Sequence, residues 1–533
     1  MSLSNEFVEI KLKDECKAMG TKNLVFLINL HHPYIRLEKA DFAKFEEEGS
    51  LIFRHISDVC VPLLNLISKF EKERLNVKFA LVFSAPLCAL LSDEEVKKNY
   101  NKYLDALVDF AKKEIRRVKG NPALEKIAAA NLDSALEKKR SFNEVYHCDL
   151  LGAFANFEQR GFVEILATCG TYIFMPHFSE MPEVLNAQVE SGLYSIREYF
   201  GKTPDGFFLP EMGYAPGIED VLKNYGVGYT VLPSQSFLFS EILPEKGIFM
   251  PARCANSLGV FAAEEFKLDF SGVYKDCSKD LAWELSQKEL SPFVKGARKA
   301  TGFSYKNRDD GIYNPKAALS RAKQDAKNFF EKKKSLLSKA QEILGSDCDV
   351  SLGIYFNQFA FTRKWAEAFD FLETLVHTSL SSGVNVVGFS DLLEGKFGLQ
   401  KIAPYPAAYS GSPYGENLIS SENSWMLRYI RKASERIVDL VSRFPNDSGL
   451  KARLLNLGAK ELMLAQDCSL VKMVGSHFYA DFASEYFRRG VVSFSNVFDS
   501  LGSNTVSTEW FCDLEKRHKI FPWMNYRIFA KKR

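Results

Sequence analysis

The sequence predicts an α/β barrel protein with a helical C-terminal region, and three observations predict it. Short, continuously apolar runs recur as far as residue 390 with helix-like stretches between them, the pattern of parallel strands buried on both faces. A Pro-, Gly- and Ser-rich segment, "KIAPYPAAYSGSPYGENLISSENS" (401–424), then interrupts the pattern and marks a boundary. Beyond it, apolar residues fall at helical spacing. At 533 residues the chain exceeds one ordinary domain, so one large α/β domain and a smaller partner are expected.

The elements follow in order. "NLVFLINL" (23–30) and "NVKFALVFS" (76–84) read as the first strands, separated by the amphipathic "FRHISDVCVPLLNLISKFEKE". "FVEILAT" (162–168), "GFFLP" (206–210), "GYTVL" (228–232) and "LGVFAA" (258–263) come next. "VSLGIYF" (350–356) and "VNVVGFS" (384–390) complete a set that suits a barrel better than one open sheet. Long charged helices at 94–140 and 316–344 mix acids with bases and read as insertions on the barrel. After the boundary, "WMLRYIRKASERIVDLVSRF" and "LKARLLNLGAKELMLAQ" predict helices. The expected division is a barrel domain over 1–400 and a helical domain over 415–533.

Composition narrows the function. The formal charge of +2, from 69 basic and 67 acidic residues, argues against nucleic acid as a partner. Ten cysteines show no CxxC pair or metal-ligand spacing, so reduced thiols, a cytoplasmic setting and chemistry without metal or cofactor are expected. The polar start "MSLSNEFVEIKLKDECK" has no apolar signal core, and no run of about 18 apolar residues occurs. No membrane partner is expected.

In a parallel barrel, catalytic groups project from the C-terminal ends of strands. Glu211 ends "GFFLP" and is followed by "APGIEDVLKNYG", a helix expected to begin near Pro216 and stop at Gly226. It is either a capping carboxylate or a catalytic one at the barrel mouth. His31 and His32 follow the first strand directly. Adjacent residues at a strand end point to opposite sides, so only one of them faces the cavity.

"NLHHPY", "GFVEILATCGTYIFMP" and "GKTPDGFFLPEMGYAPGIEDVLKNYGVGY", in this order, resemble glycoside hydrolase family 57, the retaining α-glucan amylases, glucanotransferases and branching enzymes. "LLNLGAKELMLAQ" in the tail is similar to the last motif of the branching-enzyme type. The resemblance implies a (β/α)7-type barrel with helical insertions, a C-terminal helical domain and an α-glucan or oligosaccharide substrate. It implies that Glu211, in the "LPE" motif, is the nucleophile. His31 and Pro33 match the "HxP" motif, and the implied substrate-binding wall comprises His31, Pro33, Tyr172, Tyr214, Arg363 and Trp365.

The chain departs from the family pattern at the second carboxyl group. "IYFNQFAFTRKWAEAFDFLETL" aligns without gaps on Phe361, Trp365, Glu367, Phe371 and Leu372, and the acid/base Asp position is then Asn357. An amide cannot protonate a glycosidic oxygen, and general acid/base help is worth about 10²–10⁴ in rate. Tyr172 stands in place of a family His, Arg363 and Lys364 in place of a His-Trp pair, and Ser469 and Leu470 in place of an Asp-Trp pair. Three readings follow: an active glucan enzyme whose acid is relocated to Glu264, Glu265 or Asp391; a catalytically impaired glucan-binding or regulatory homologue; or an enzyme holding an anionic substrate with Arg363 and Lys364.

Overall fold

The computed structural model describes residues 19–36, 46–291, 293, 299–357, 360–361, 365–394, 398–409, 413–503 and 507–532. Seven strands are β1 (Lys22–Asn29), β2 (Phe79–Val82), β3 (Val163–Leu166), β4 (Gly206–Phe208), β5 (Tyr229–Pro233), β7 (Gly259–Glu265) and β8 (Val350–Phe356). They line up in the order β3-β2-β1-β8-β7-β5-β4, with every neighbouring pair parallel. A single parallel bridge, Ala167 to Phe207, joins the two ends into a nearly closed barrel. There the Ala167 N–H donates to Gly206 O at 3.0 Å and the Phe208 N–H to Ala167 O at 2.7 Å.

Each expected strand is present within a few residues, but the one expected at 384–390 shrinks to β9 (Asn385–Val386), paired with β1 beside the barrel path. The two-residue β6 (Ala252–Arg253), antiparallel to β7, is too short to leave a periodic signal. The charged stretch at 94–140 is two helices, Glu94–Arg117 and Pro122–Arg140. Gly120 at φ 96° breaks the run, and Asn121 caps the second helix with Pro122 in its first turn. The long helix Pro315–Leu344 lies where expected. The helix after Glu211 covers Ile218–Asn224 with Gly217 as its N-cap, so Pro216 lies just outside it.

Alternation along the strands divides the core. Leu24, Phe26 and Ile28 of β1, and Leu352, Ile354 and Phe356 of β8, join the large cluster under the outer helices. Val25 and Leu27, Phe261 and Ala263 of β7, and Tyr355 of β8 fill the barrel interior with Tyr229 and Phe208. Burial of each such large side chain contributes about 1.5–3 kcal/mol. The stretch Glu47–Lys72 is long and apolar enough to cross a bilayer, but 78% of its most apolar window is buried inside the protein, as in a core helix.

Among the described residues after 413 there are helices and no strands: Ser424–Arg443, Gly449–Ala465, Cys468–Gly475, Ala480–Ser503 and Thr508–Arg517, with a 3-10 turn at Tyr526–Phe529. Their apolar faces belong to the same large cluster as the barrel's outer helices. A buried polar ladder ties the two parts together. Gln188 donates to Thr171 Oγ1 at 2.8 Å and to Gln466 Oε1 at 2.7 Å, and Gln466 donates to Ser434 Oγ at 2.9 Å. Thr171 in turn donates to Met463 O at 2.5 Å.

Candidate active site

The interior register of the strands determines which side chains reach the mouth. Val25 and Leu27 point inward, so Asn29 at the end of β1 does too, and its amide donates to the hydroxyls of Tyr172 at 2.6 Å and Tyr355 at 3.2 Å. The same rule turns Asn357 inward two residues after Tyr355. It turns Glu265 inward after Phe261 and Ala263, and Glu264 outward.

Glu211 sits on a strained turn at the end of β4. Its φ of 56° and the φ of 50° at Met212 place two successive non-glycine residues in the left-handed region, at a cost of order 1–3 kcal/mol each. Tyr172, at φ 54°, is a third. Such strain persists only where the surroundings over-determine it. The Glu211 side chain is 7% exposed, and the Lys472 ammonium lies 3.0 Å from both of its oxygens. Burial alone would lower the Lys472 pKa, but the Glu211 charge and its hydrogen bonds hold it above the ordinary lysine value. Burial, with Tyr355 and the Glu211 charge nearby, keeps the Tyr172 phenol well above its usual range.

His31 is the inward-facing member of its pair. Its ring stacks on Tyr172 at 3.8 Å between centroids, with 4° between planes. Nδ1 bonds Ser84 Oγ and Nε2 bonds Ser469 Oγ, both at 2.9 Å, and Asp467 lies 3.7 Å from Nε2. His32 points the other way, its Nδ1 2.7 Å from Pro33 O and its ring edge-on to His55. The tail closes over this corner. Asp467 caps the Cys468–Gly475 helix through the Ser469 N–H, and the Cys468 N–H donates to Tyr172 O at 3.2 Å.

Across the mouth, the Asn357 amide donates to Tyr409 Oη at 2.5 Å, and the Tyr409 hydroxyl donates to Glu265 Oε1. All three are half-buried. Tyr409 packs edge-on to Tyr355 at 5.6 Å. Burial first, then the Glu265 contact, raises its pKa, and the Glu211 charge adds to the rise. Of the other candidate acids, Glu264 faces outward to Lys333 on the Pro315–Leu344 helix. Asp391 is held by Lys78 at 2.5 Å and by the Gly388 N–H at 2.8 Å.

Two of the remaining expected wall residues, Tyr214 and Trp365, lie elsewhere. The Tyr214 hydroxyl donates to Glu219 Oε2 at 3.0 Å, and its ring joins the outer cluster. Trp365 is 1% exposed and packed by Phe266, Phe270, Tyr274 and Phe371, which places it in the core behind β8. Pro33 is buried, and its carbonyl accepts the Ile35 N–H at 2.8 Å. Arg363 and Lys364 fall outside the described residues. Sequence reasoning missed Lys472, Tyr409, Tyr355 and Asn29. Asn29 and Tyr355 were open to the alternation rule; Lys472 had no local signal.

The sequence model of glycosyl hydrolase family 57 matches residues 25–307, over half of the chain, and that of the 1,4-alpha-glucan branching enzyme C-terminal region matches 429–529. A 1,4-alpha-glucan branching enzyme of Thermococcus kodakarensis is 24% identical, over 91% of this chain and 74% of its own. The fold superposes on the α-amylase AmyC from Thermotoga maritima with a TM-score of 0.87 at 22% identity, covering 96% of this chain and 100% of that one. It superposes on the family 57 branching enzyme from Pyrococcus horikoshii with a TM-score of 0.82 at 20% identity, covering 96% and 97%. A nearly closed seven-stranded barrel, a carboxylate on a strained turn at its mouth and a family match across most of the barrel together make this chain a member of glycoside hydrolase family 57.

Proposed function

We propose that this chain binds an α-glucan at the barrel mouth and acts on it with retention, Glu211 attacking the anomeric carbon. The observation that carries the reading is Glu211 itself. It is a buried carboxylate on a left-handed turn at the C-terminal end of a barrel strand, where backbone strain of this kind clusters at functional sites. A retaining step requires a carboxylate nucleophile at the sugar face and a second group that gives and later takes a proton. Tyr172, fully buried and stacked on His31, lies close enough to Glu211 to feel its charge. The relatives named above supply the substrate class, hydrolysis in one case and transfer to a branch in the others. The free thiols of every described cysteine support a reducing, cytoplasmic setting.

The test is incubation with amylose and maltooligosaccharides, with reducing ends and new branch points measured. Products from the wild type and none from Glu211→Gln are expected; turnover that survives Glu211→Gln sinks the assignment. One observation favours a second reading, an impaired homologue that only binds glucan: the position aligned with the family's acid/base Asp carries an amide, Asn357, whose N–H is too weak an acid to protonate a glycosidic oxygen. Amylose retention by the wild type without any product would establish that reading instead.

A further inference from the structure

We propose that Glu265, working through the Tyr409 hydroxyl, supplies and recovers the proton that the side chain at Asn357 cannot. The inference rests on the retaining reading of Glu211 given above. Three observations lead to it. The β7 register turns Glu265 into the barrel mouth, while Glu264 points to Lys333 outside. A continuous chain of hydrogen bonds runs from Asn357 through Tyr409 to Glu265, so the carboxyl group lies one phenol away from the family's proton-transfer position. Tyr409 packs edge-on to Tyr355, whose ring belongs to the barrel interior, at 5.6 Å, and the Glu211 charge adds to the rise of its pKa. Asn357 then acts as a positioning residue: its N–H donates to Tyr409 Oη and leaves the phenolic proton to travel. Lys267, 3.1 Å from Glu265 with its own side chain 76% exposed, is the one ammonium paired with it among the described residues.

In the first half-reaction the Tyr409–Glu265 hydrogen bond runs opposite to its direction in this structure. Glu265, carrying a proton, passes it to the Tyr409 oxygen as the Tyr409 hydroxyl proton passes to the glycosidic oxygen. The anomeric carbon–oxygen bond breaks with its electron pair on the leaving oxygen, and a Glu211 oxygen forms the new bond to carbon. In the second, water or a sugar hydroxyl gives its proton to Tyr409, and Tyr409 gives its own to Glu265. The incoming oxygen bonds the anomeric carbon, and the ester bond to Glu211 breaks to restore the carboxylate. Tyr409 touches the reacting oxygen; Glu265 is the reservoir behind it.

The test compares amylose with α-maltosyl fluoride, whose fluoride leaves without being protonated. The wild type is expected to turn over both. E265Q, isosteric and still able to accept the Tyr409 hydrogen bond, is expected to lose about 10²-fold or more on amylose. It should still release a burst of fluoride close to one equivalent, followed by slow steady turnover because the second half-reaction lacks its base. Y409F should behave the same way. Asn357→Asp placed in the E265Q chain should recover amylose turnover by supplying a carboxyl group directly. Full amylose activity in E265Q overturns the proposal, as does loss of its fluoride burst, which would mark a structural role. Fluoride release without amylose turnover in the wild type also overturns it and leaves Glu211 standing. A wild type that releases no fluoride defeats the Glu211 reading instead, and this proposal with it.

Discussion

Lys472 holds both carboxylate oxygens of Glu211 at 3.0 Å, across 261 residues of chain. The ammonium therefore competes with any electrophile that approaches Glu211, and it balances a charge that burial would otherwise penalise. Removing the lysine leaves the buried Glu211 charge uncompensated, at a cost below the roughly 3–5 kcal/mol of a fully buried pair because the Lys472 side chain is 27% exposed. Lys472→Met should accordingly lower the denaturation midpoint, while Glu211→Gln combined with Lys472→Met should cost less than the two single changes together. A coupling of about 0.5–3 kcal/mol in a double-mutant cycle by urea unfolding is expected. Strict additivity would mean that the pair does not act as one unit.

Asn357→Asp alone should raise amylose turnover in the wild-type background, if the family resemblance aligns position 357 with the acid/base Asp. The gain should fall short of the full 10²–10⁴ or so that general acid/base help provides. Tyr172 and Ser469 still shape the wall around His31. Reducing-end assays at fixed substrate would show it; an unchanged or lower rate would mean that position 357 does not face the sugar.

His55 makes the fold sensitive to acid. Burial first, then the nearby His31, lowers its pKa from 6.5 to about 4, against a weaker opposing pull from Asp58, and its Nε2 has no hydrogen-bond partner. Below pH 6.5 the unfolded chain takes up a proton that the folded chain refuses, so stability falls as pH drops from about 6.5 to about 4. The loss approaches about 3 kcal/mol from this one group, and His32, lowered for the same reason and by His55 itself, adds to it. Unfolding free energies measured across that window should flatten in His55→Gln. A slope unchanged by the substitution would assign the acid sensitivity elsewhere.

Gly192, in the middle of the Pro182–Phe200 helix, lets that helix lie directly on the end of β3. A Cβ built there would stand 1.8 Å from Thr168 O, which is backbone and has no rotamer to change. Gly192→Ala should destabilise by at least the roughly 1–3 kcal/mol typical of overpacking, despite alanine's better helix propensity. Thermal unfolding would check this; a neutral or stabilised variant would mean that the helix is free to slide.

The barrel was legible because its strands are continuous apolar runs bounded by turn residues, from "NLVFLINL" to "VSLGIYF". Glu211 and His31 were legible because each directly follows such a run. What followed the strands by two residues was harder. Glu264 and Glu265 stand side by side in the sequence, and only the observed register separates the one bonded to Lys333 from the one bonded to Tyr409. Tyr409 itself lies in the Pro-, Gly- and Ser-rich segment that reads as a boundary, and its partners come from β7 and β8. Lys472 occupies a short apolar helix where a lysine reads as solvated; its partner is set by how the tail docks, which no local pattern encodes. Trp365 anchors a motif, yet the aromatic residues around it draw it into the core.

The docking of the Cys468–Gly475 helix over the barrel mouth has a consequence for biosynthesis. Every barrel strand emerges from the ribosome before Ser469 and Lys472 do, and N-terminal parts of a chain fold while the remainder is still being made, at about 5–20 residues per second. For on the order of ten seconds, a nascent barrel carries Glu211 without its counter-ion and His31 without its hydroxyl partner. The pocket is completed by a helix translated more than a hundred residues after the last barrel strand. A chain released before this helix would lack both the counter-ion of Glu211 and the hydroxyl partner of His31.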